Sequence, residues 1–214
     1  MNRELYLKHI HKTTFLYYLG FILSYFIFRF LFRRKVYGVE HVPKEGAFLI
    51  CANHLSYFDP PCIGSSFPFH HIFYLARKTL FTSRLMGWLL PRIHAIPVDQ
   101  EKADIFGIRT TLQVLKSGAP LLLFPEGARS WDGQLQKGEP GTGMIALKSG
   151  VPILPVRIRG TFEAWPRGSS KIKLHPITVT FGPMLPPFQP PAHLSTQESY
   201  QWVSSQIMEA IAKL

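Results

Sequence analysis

The chain has little cysteine and little acid. Cys51 and Cys62 are its two thiols in 214 residues, without a Cys-x-x-Cys spacing. That excludes a disulfide framework and a thiolate metal site, and fits two small buried residues of a reducing compartment. Asp and Glu number 13 against 24 Lys and Arg, a formal net charge of +11. Such a deficit of acid points to an anionic partner: nucleic acid, a phosphate-bearing substrate or anionic lipid. No basic recognition helix or aromatic-basic module accompanies the charge, so nucleic acid is not expected. There is no Gly-x-Ser-x-Gly nucleophile elbow and no internal repeat. The length fits one domain with a substantial core and no second domain.

What the chain does have is phenylalanine, 17 of them, concentrated toward the N-terminus. After Arg3, Lys8 and Lys12, the stretch Thr13 to Phe28 runs sixteen residues without a charge. Arg29 interrupts, and Phe30-Leu31-Phe32 closes before Arg33-Arg34-Lys35. As a helix the uncharged part is about 24 Å long, short of the ~30 Å hydrocarbon core of a bilayer. Both flanks are basic, so charge sets no orientation across a membrane. A single span would need Arg29 to snorkel. The expected arrangement is monotopic, with residues 1–35 as a membrane-associating helical segment on the cytoplasmic face of the inner membrane and residues 36–214 as the folded domain. A basic stretch after the apolar run, and no small-residue cleavage site, argue against a signal peptide.

Downstream, apolar runs alternate with helical patterns. Strands are expected at 47–52, 72–76, 95–98, 120–124, 153–158 and 177–181, with a short connector from Val36 to Pro43 turning at Gly38. Helices are expected over 79–90, 104–117 (buried face Ile105, Ile108, Leu112, Leu115), 143–149 and, from a Ser195-x-x-Glu198 capping box, to about Lys213. Residues 160–176 read as loop and Pro186–Pro191 as an extended linker. The fold class is therefore α/β, a largely parallel or mixed sheet flanked by helices.

Two polar motifs follow two of these strands. The first is Asn53-His54-Leu55-Ser56-Tyr57-Phe58-Asp59, ended by Pro60-Pro61. His54 and Asp59 are five apart, close enough for the carboxylate to hold one ring nitrogen and raise the basicity of the other. That makes a general base with no obvious nucleophile beside it, suited to a hydroxyl arriving on a substrate. Ser56 as a nucleophile, and hence a hydrolase, is the alternative; two ligands without a third make a poor metal site. The second motif is Phe124-Pro125-Glu126-Gly127-Ala128-Arg129-Ser130. Gly127 lets the backbone approach a ligand, Arg129 offers a planar fork for a phosphate, and Glu126 either holds that arginine or binds an acceptor hydroxyl. Lys137, Arg77 and Lys78 add positive charge if the strands are neighbours. A basic pocket beside a general base implies a phosphorylated alcohol as the attacking substrate.

Together, Asn53-His54 with Asp59, Phe124-Pro125-Glu126-Gly127 with Arg129-Ser130, and Val151-Pro152-Ile153-Leu154-Pro155-Val156 resemble the His-x4-Asp glycerolipid acyltransferases from about Val36 to Gly160. With that resemblance His54 and Asp59 are expected as catalytic residues, and Asn53, Glu126, Gly127 and Arg129 as substrate-binding ones, joined by Lys78 and Lys137 on the ground of their charge. The resemblance implies transfer of an acyl chain from acyl-CoA or acyl carrier protein to the sn-2 hydroxyl of lysophosphatidic acid, giving phosphatidic acid at a membrane surface. No metal or redox cofactor is implied. The block Ala95 to Gln100 departs from the family, which closes it in an arginine; Lys102 is the nearest replacement charge. Glycerol-3-phosphate or another lysophospholipid as acceptor, and a non-catalytic lipid-binding protein, remain as alternatives.

Overall fold

The computed structural model describes residues 15–67, 71–99 and 104–214. The basic residues expected at 1–12, together with Gln100 and Lys102, lie outside them.

Among the described residues seven strands form one mixed sheet in the order β1-β7-β6-β2-β5-β3-β4. They are β1 (Lys35–Tyr37), β2 (Leu49–Ala52), β3 (Phe73–Arg77), β4 (Ala95–Val98), β5 (Leu121–Leu123), β6 (Ile153–Arg159) and β7 (Thr178–Phe181). Strands β6, β2, β5, β3 and β4 run parallel. β7 is antiparallel to β6 and carries β1 parallel to itself. Leu49–Ala52 and Leu121–Leu123 are buried throughout, which is why they read as unbroken apolar runs rather than as alternation.

Strand alternation sorts the core into two halves. On one face Leu49, Cys51, Leu121, Leu123 and Ile153 pack against helices α4 (Ile105–Lys116), α5 (Pro140–Ser149) and α7 (Thr196–Ala212). On the other, Ile50, Ala52, Leu122, Leu154 and Val156 meet Cys62 and Ile63 of α2 (Asp59–Gly64) and two N-terminal phenylalanines, Phe28 and Phe32. The capping box of α7 forms as expected: Ser195 Oγ accepts from the Glu198 amide, and the Ser195 amide donates to Glu198 Oε2 at 2.8 Å.

Three expectations are corrected. The buried stripe of α4 is Gly107, Thr110, Thr111, Val114 and Leu115, while Ile105 is 62% exposed. The two threonine hydroxyls donate to the carbonyls of Phe106 and Gly107 at 2.8 Å, which makes them fit for the interior and hides the stripe from a hydrophobicity count. Gly107 allows the close approach: a Cβ there would lie 2.6 Å from Val98 Cγ1. The single helix expected over 79–90 is a 3₁₀ turn (Lys78–Thr82), then α3 (Arg84–Leu89), interrupted by the extended Ser83. The loop expected at 160–176 contains a short helix, α6 (Thr161–Ala164).

The N-terminal segment forms α1 (Phe15–Phe26), continued by a π-helical turn at Ile27–Leu31. It crosses one face of the sheet. Tyr17 stacks on His94, which precedes β4, at 4.6 Å. At the other end Phe32 O accepts from the amide of Ile177, which precedes β7. Its outer side is apolar and exposed, with Phe15 at 77% and Phe30 at 65%. No helix among the described residues is long and apolar enough to cross a membrane. The boundary expected at residue 35 cuts through packed structure, because Phe28 and Phe32 are 3% and 4% exposed. Arg34, the middle of the three consecutive cations after the apolar run, is buried as well. Its guanidinium donates to Cys62 O, Ser65 Oγ and Ser65 O.

Candidate active site

The parallel strands deliver their C-terminal ends to one edge of the sheet, where open α/β folds place ligands. There the chain leaves β2 at Asn53-His54 and β5 at Phe124-Pro125-Glu126. The two motifs grip each other. The His54 amide donates to Glu126 Oε1 at 3.3 Å, and the Ser130 amide donates to His54 O at 2.8 Å. The His54 ring lies flat on Phe124, centroids 3.8 Å apart and planes 14° apart.

Asp59 opens α2 with its side chain wholly buried. Its Oδ2 accepts from His54 Nδ1 at 2.8 Å, from the Leu55 amide at 2.6 Å and from the Ser56 amide at 2.7 Å. A carboxylate only accepts, so Nδ1 carries the proton and Nε2 keeps its lone pair. His54 is 17% exposed and lines a cleft of about 800 Å³. A ring held by Asp59 at its edge and by Phe124 on its face, in a residue that lines the cleft, is equipped to take a proton from a bound hydroxyl. Ser56 is not available as a nucleophile: it is fully buried and its hydroxyl donates to Trp165 O at 2.7 Å.

The cleft is also lined by Glu126, Gly127, Arg129, Arg77 and Arg167, with Leu75, Leu80, Val98 and Ile108 forming an apolar wall. Gly127 has φ 69°, a conformation other residues adopt at a cost. Burial pushes the Glu126 carboxyl up to about 7; the Asp59 charge adds to the rise, while the His54 amide and Arg157 oppose it. The Arg129 guanidinium stacks over the Tyr57 ring at 3.4 Å. Arg167 lies over Trp131 at 3.9 Å and donates to the backbone oxygen of Arg129 at 2.7 Å.

The Acyltransferase family model matches residues 33–159, which contain both motifs. The chain belongs to the acyltransferase family. It is 32% identical over 142 residues to a 1-acyl-sn-glycerol-3-phosphate acyltransferase of Bacillus subtilis, covering 64% of this chain and 70% of that one. It is 27% identical over 150 residues to a chloroplastic protein of the same activity from Brassica napus, of which it spans 42%. A crystal structure of the 1-acyl-sn-glycerophosphate acyltransferase from Thermotoga maritima superposes with a TM-score of 0.73 at 25% identity, over 92% of this chain and 80% of the other.

At this candidate site the expected residues separate. His54, Glu126, Gly127 and Arg129 meet in the cleft, with Asp59 directly behind His54. Asn53 faces away. Its side-chain amide donates to Ile158 O at 2.9 Å and accepts from the Ile158 amide at 2.8 Å, so it braces β6. Lys78 and Lys137 are exposed and do not line the cleft. Arg77, the last residue of β3, lines it in place of Lys78, where the chain has already turned into the 3₁₀ segment. Glu126 makes no ion pair with Arg129 among the described residues; its carboxylate ties the second motif to the His54 backbone. Arg167 escaped sequence reasoning. It sits in a loop without periodicity, and the signal beside it was the aromatic–basic sequence Trp165-Pro166-Arg167.

Proposed function

We propose that this family member moves a fatty acyl chain from a thioester, acyl-CoA or acyl carrier protein, to the sn-2 hydroxyl of lysophosphatidic acid. The supporting observation is the shared cleft: His54, Arg129, Arg77 and Arg167 line one cavity. A phosphate held by the arginines brings the hydroxyl of the same molecule toward His54. As that oxygen attacks the thioester carbonyl, its proton passes to His54 Nε2. The new ester C–O bond forms, the C–S bond breaks, and the proton leaves with the thiolate. Asp59 steadies the imidazolium that exists between those transfers. No covalent acyl-enzyme is needed. The exposed apolar side of α1 supports a monotopic seat on the cytoplasmic leaflet, from which amphiphilic substrates are drawn.

The test is product identification. The protein is incubated with acyl thioester, with and without lysophosphatidic acid. Phosphatidic acid appearing only with the acceptor supports the transfer. Free fatty acid without acceptor would indicate a hydrolase, and no thioester consumption would indicate a lipid-binding protein. Substituting His54 with Ala lowers turnover by ~100-fold or more.

A further inference from the structure

One rim of the cleft is built in a way that the acyl-transfer chemistry leaves unused. Trp131, under Arg167, is 69% exposed. Beyond Arg167 the chain runs through Lys171-Ile172-Lys173-Leu174, a segment without regular structure and exposed throughout. Ile172 and Leu174 are 54% and 71% exposed. Large apolar side chains this open are ordinary when scattered, but these alternate with lysines a few residues past Gly168, where an added Cβ would lie 3.6 Å from the Trp131 ring.

The segment is held in place by its backbone. The Lys173 amide donates to Ala164 O at 2.8 Å, and Trp165 Nε1 donates to Ser169 O at 2.8 Å. Three residues past Leu174, Ile177 pairs with the end of the N-terminal helix: its amide donates to Phe32 O, and its carbonyl accepts from Lys35. Three residues span at most about 10 Å. Leu174 therefore lies within about 10 Å of Ile177, which is bonded to the end of that helix at the sheet end that carries the cleft.

We propose that Trp131 and Lys171–Leu174 form a second lipid contact, a lip that seats the mouth of the cleft on an anionic bilayer surface. Tryptophan favours the membrane interface, isoleucine and leucine the acyl boundary, and lysines reach anionic headgroups along their flexible stems. The net charge of +11 has the sign such a surface requires. With α1 alone, the protein could pivot about one axis. With the lip as well, the cleft faces the leaflet that holds the acceptor. The inference rests on the reading of a lipid acceptor, but its main test does not depend on turnover.

Leu174→Cys in the full chain is labelled with an environment-sensitive dye; Glu209→Cys, on α7 across the sheet, serves as control. Cys51 and Cys62 are buried, with thiols pushed up by burial, so the new thiol is labelled selectively. The expected result is a blue shift at position 174 on vesicles containing phosphatidylglycerol, a weaker one on phosphatidylcholine alone, and none at position 209. A silent position 174 on protein that co-sediments with the vesicles would overturn the lip. So would a shift produced by an acidic carrier protein without vesicles, which would make the rim a protein-docking surface. In parallel, the double variant K171Q/K173Q should partition onto anionic vesicles roughly 30-fold less well. Its use of a short-chain, monomerically dissolved acceptor should be unchanged. Equal partitioning of variant and parent would count against the proposal. If no acyl transfer occurs at all, the dye still reports whether the lip meets lipid, so the two failures are separable.

Discussion

The main-chain amide of His54 donates to the buried carboxylate of Glu126, 3.3 Å away. His54 is thereby positioned by a group that is itself half protonated near neutrality, since burial raises Glu126 to about 7 from an ordinary 4.5. Between those values the folded chain holds a proton that the unfolded chain has released. The Glu126 contribution to stability therefore falls as pH rises from about 4.5 to about 7, then levels off. Glu126→Gln removes this dependence. Its stability relative to the parent should improve by about 2–3 kcal/mol between pH 4.5 and pH 8. Urea unfolding at both pH values measures this, and parallel curves for the two proteins would refute it.

Asp59 gathers three N–H donors on one oxygen, two of them from the backbone. Asp59→Asn should therefore lose both activity, by ~100-fold or more, and about 1.5–3 kcal/mol of stability. His54→Ala should lose comparable activity with a stability change under about 1 kcal/mol, because the two backbone donors keep their acceptor. Turnover and thermal unfolding of the pair separate the two roles; equal destabilisation would contradict the assignment.

Arg129→Ala should weaken use of a phosphorylated acceptor by roughly 10- to 150-fold and leave donor affinity nearly intact. Arg129→Lys should recover little, because the stack on Tyr57 uses the planar guanidinium. Kinetics with lysophosphatidic acid and with a neutral monoacylglycerol make the comparison. An equal loss on both acceptors is the contrary result.

Arg34 makes three hydrogen bonds to the α2 end of the core. Arg34→Gln should cost about 2–4 kcal/mol, whereas Arg33→Gln, on the exposed neighbour, should be near neutral. By the same logic a chain starting at Val36 loses Phe28, Phe32 and Arg34 and should fail to fold cooperatively, rather than merely leaving the membrane. Urea titration of each form decides this.

Both strand-end motifs were legible in the sequence, because a buried parallel strand is an unbroken apolar run and the polar residues after it stand out. The capping box of α7 was legible because its partners are three residues apart. What stayed hidden depended on long-range packing. Arg34 looks like its neighbours Arg33 and Lys35 until Ser65 is brought beside it. Thr110 and Thr111 count as polar until their hydroxyls find carbonyls one turn back. Arg77 and Lys78 are equivalent in a charge count, and only the point where β3 ends and the chain turns chooses between them. Strand order leaves no local trace, so Arg167 could not be placed at the rim from its own surroundings.

The brace between Asn53 and Ile158 uncouples the loop that begins at His54 from the sheet. Ala52 is paired with Val156 in the ladder, so the next main-chain rung toward Ile158 would fall to residue 54. The Asn53 carboxamide supplies both halves of that rung from a side chain. β6 is thus zipped to its end although β2 has already departed, and His54 is released from sheet geometry. The loop from His54 to Phe58 can therefore take the shape that the Asp59 carboxylate imposes on it, through the His54 ring and the Leu55 and Ser56 amides, without unravelling the strand beside it. That freedom rests on one amide, since aspartate lacks the donor and glutamine carries an extra methylene.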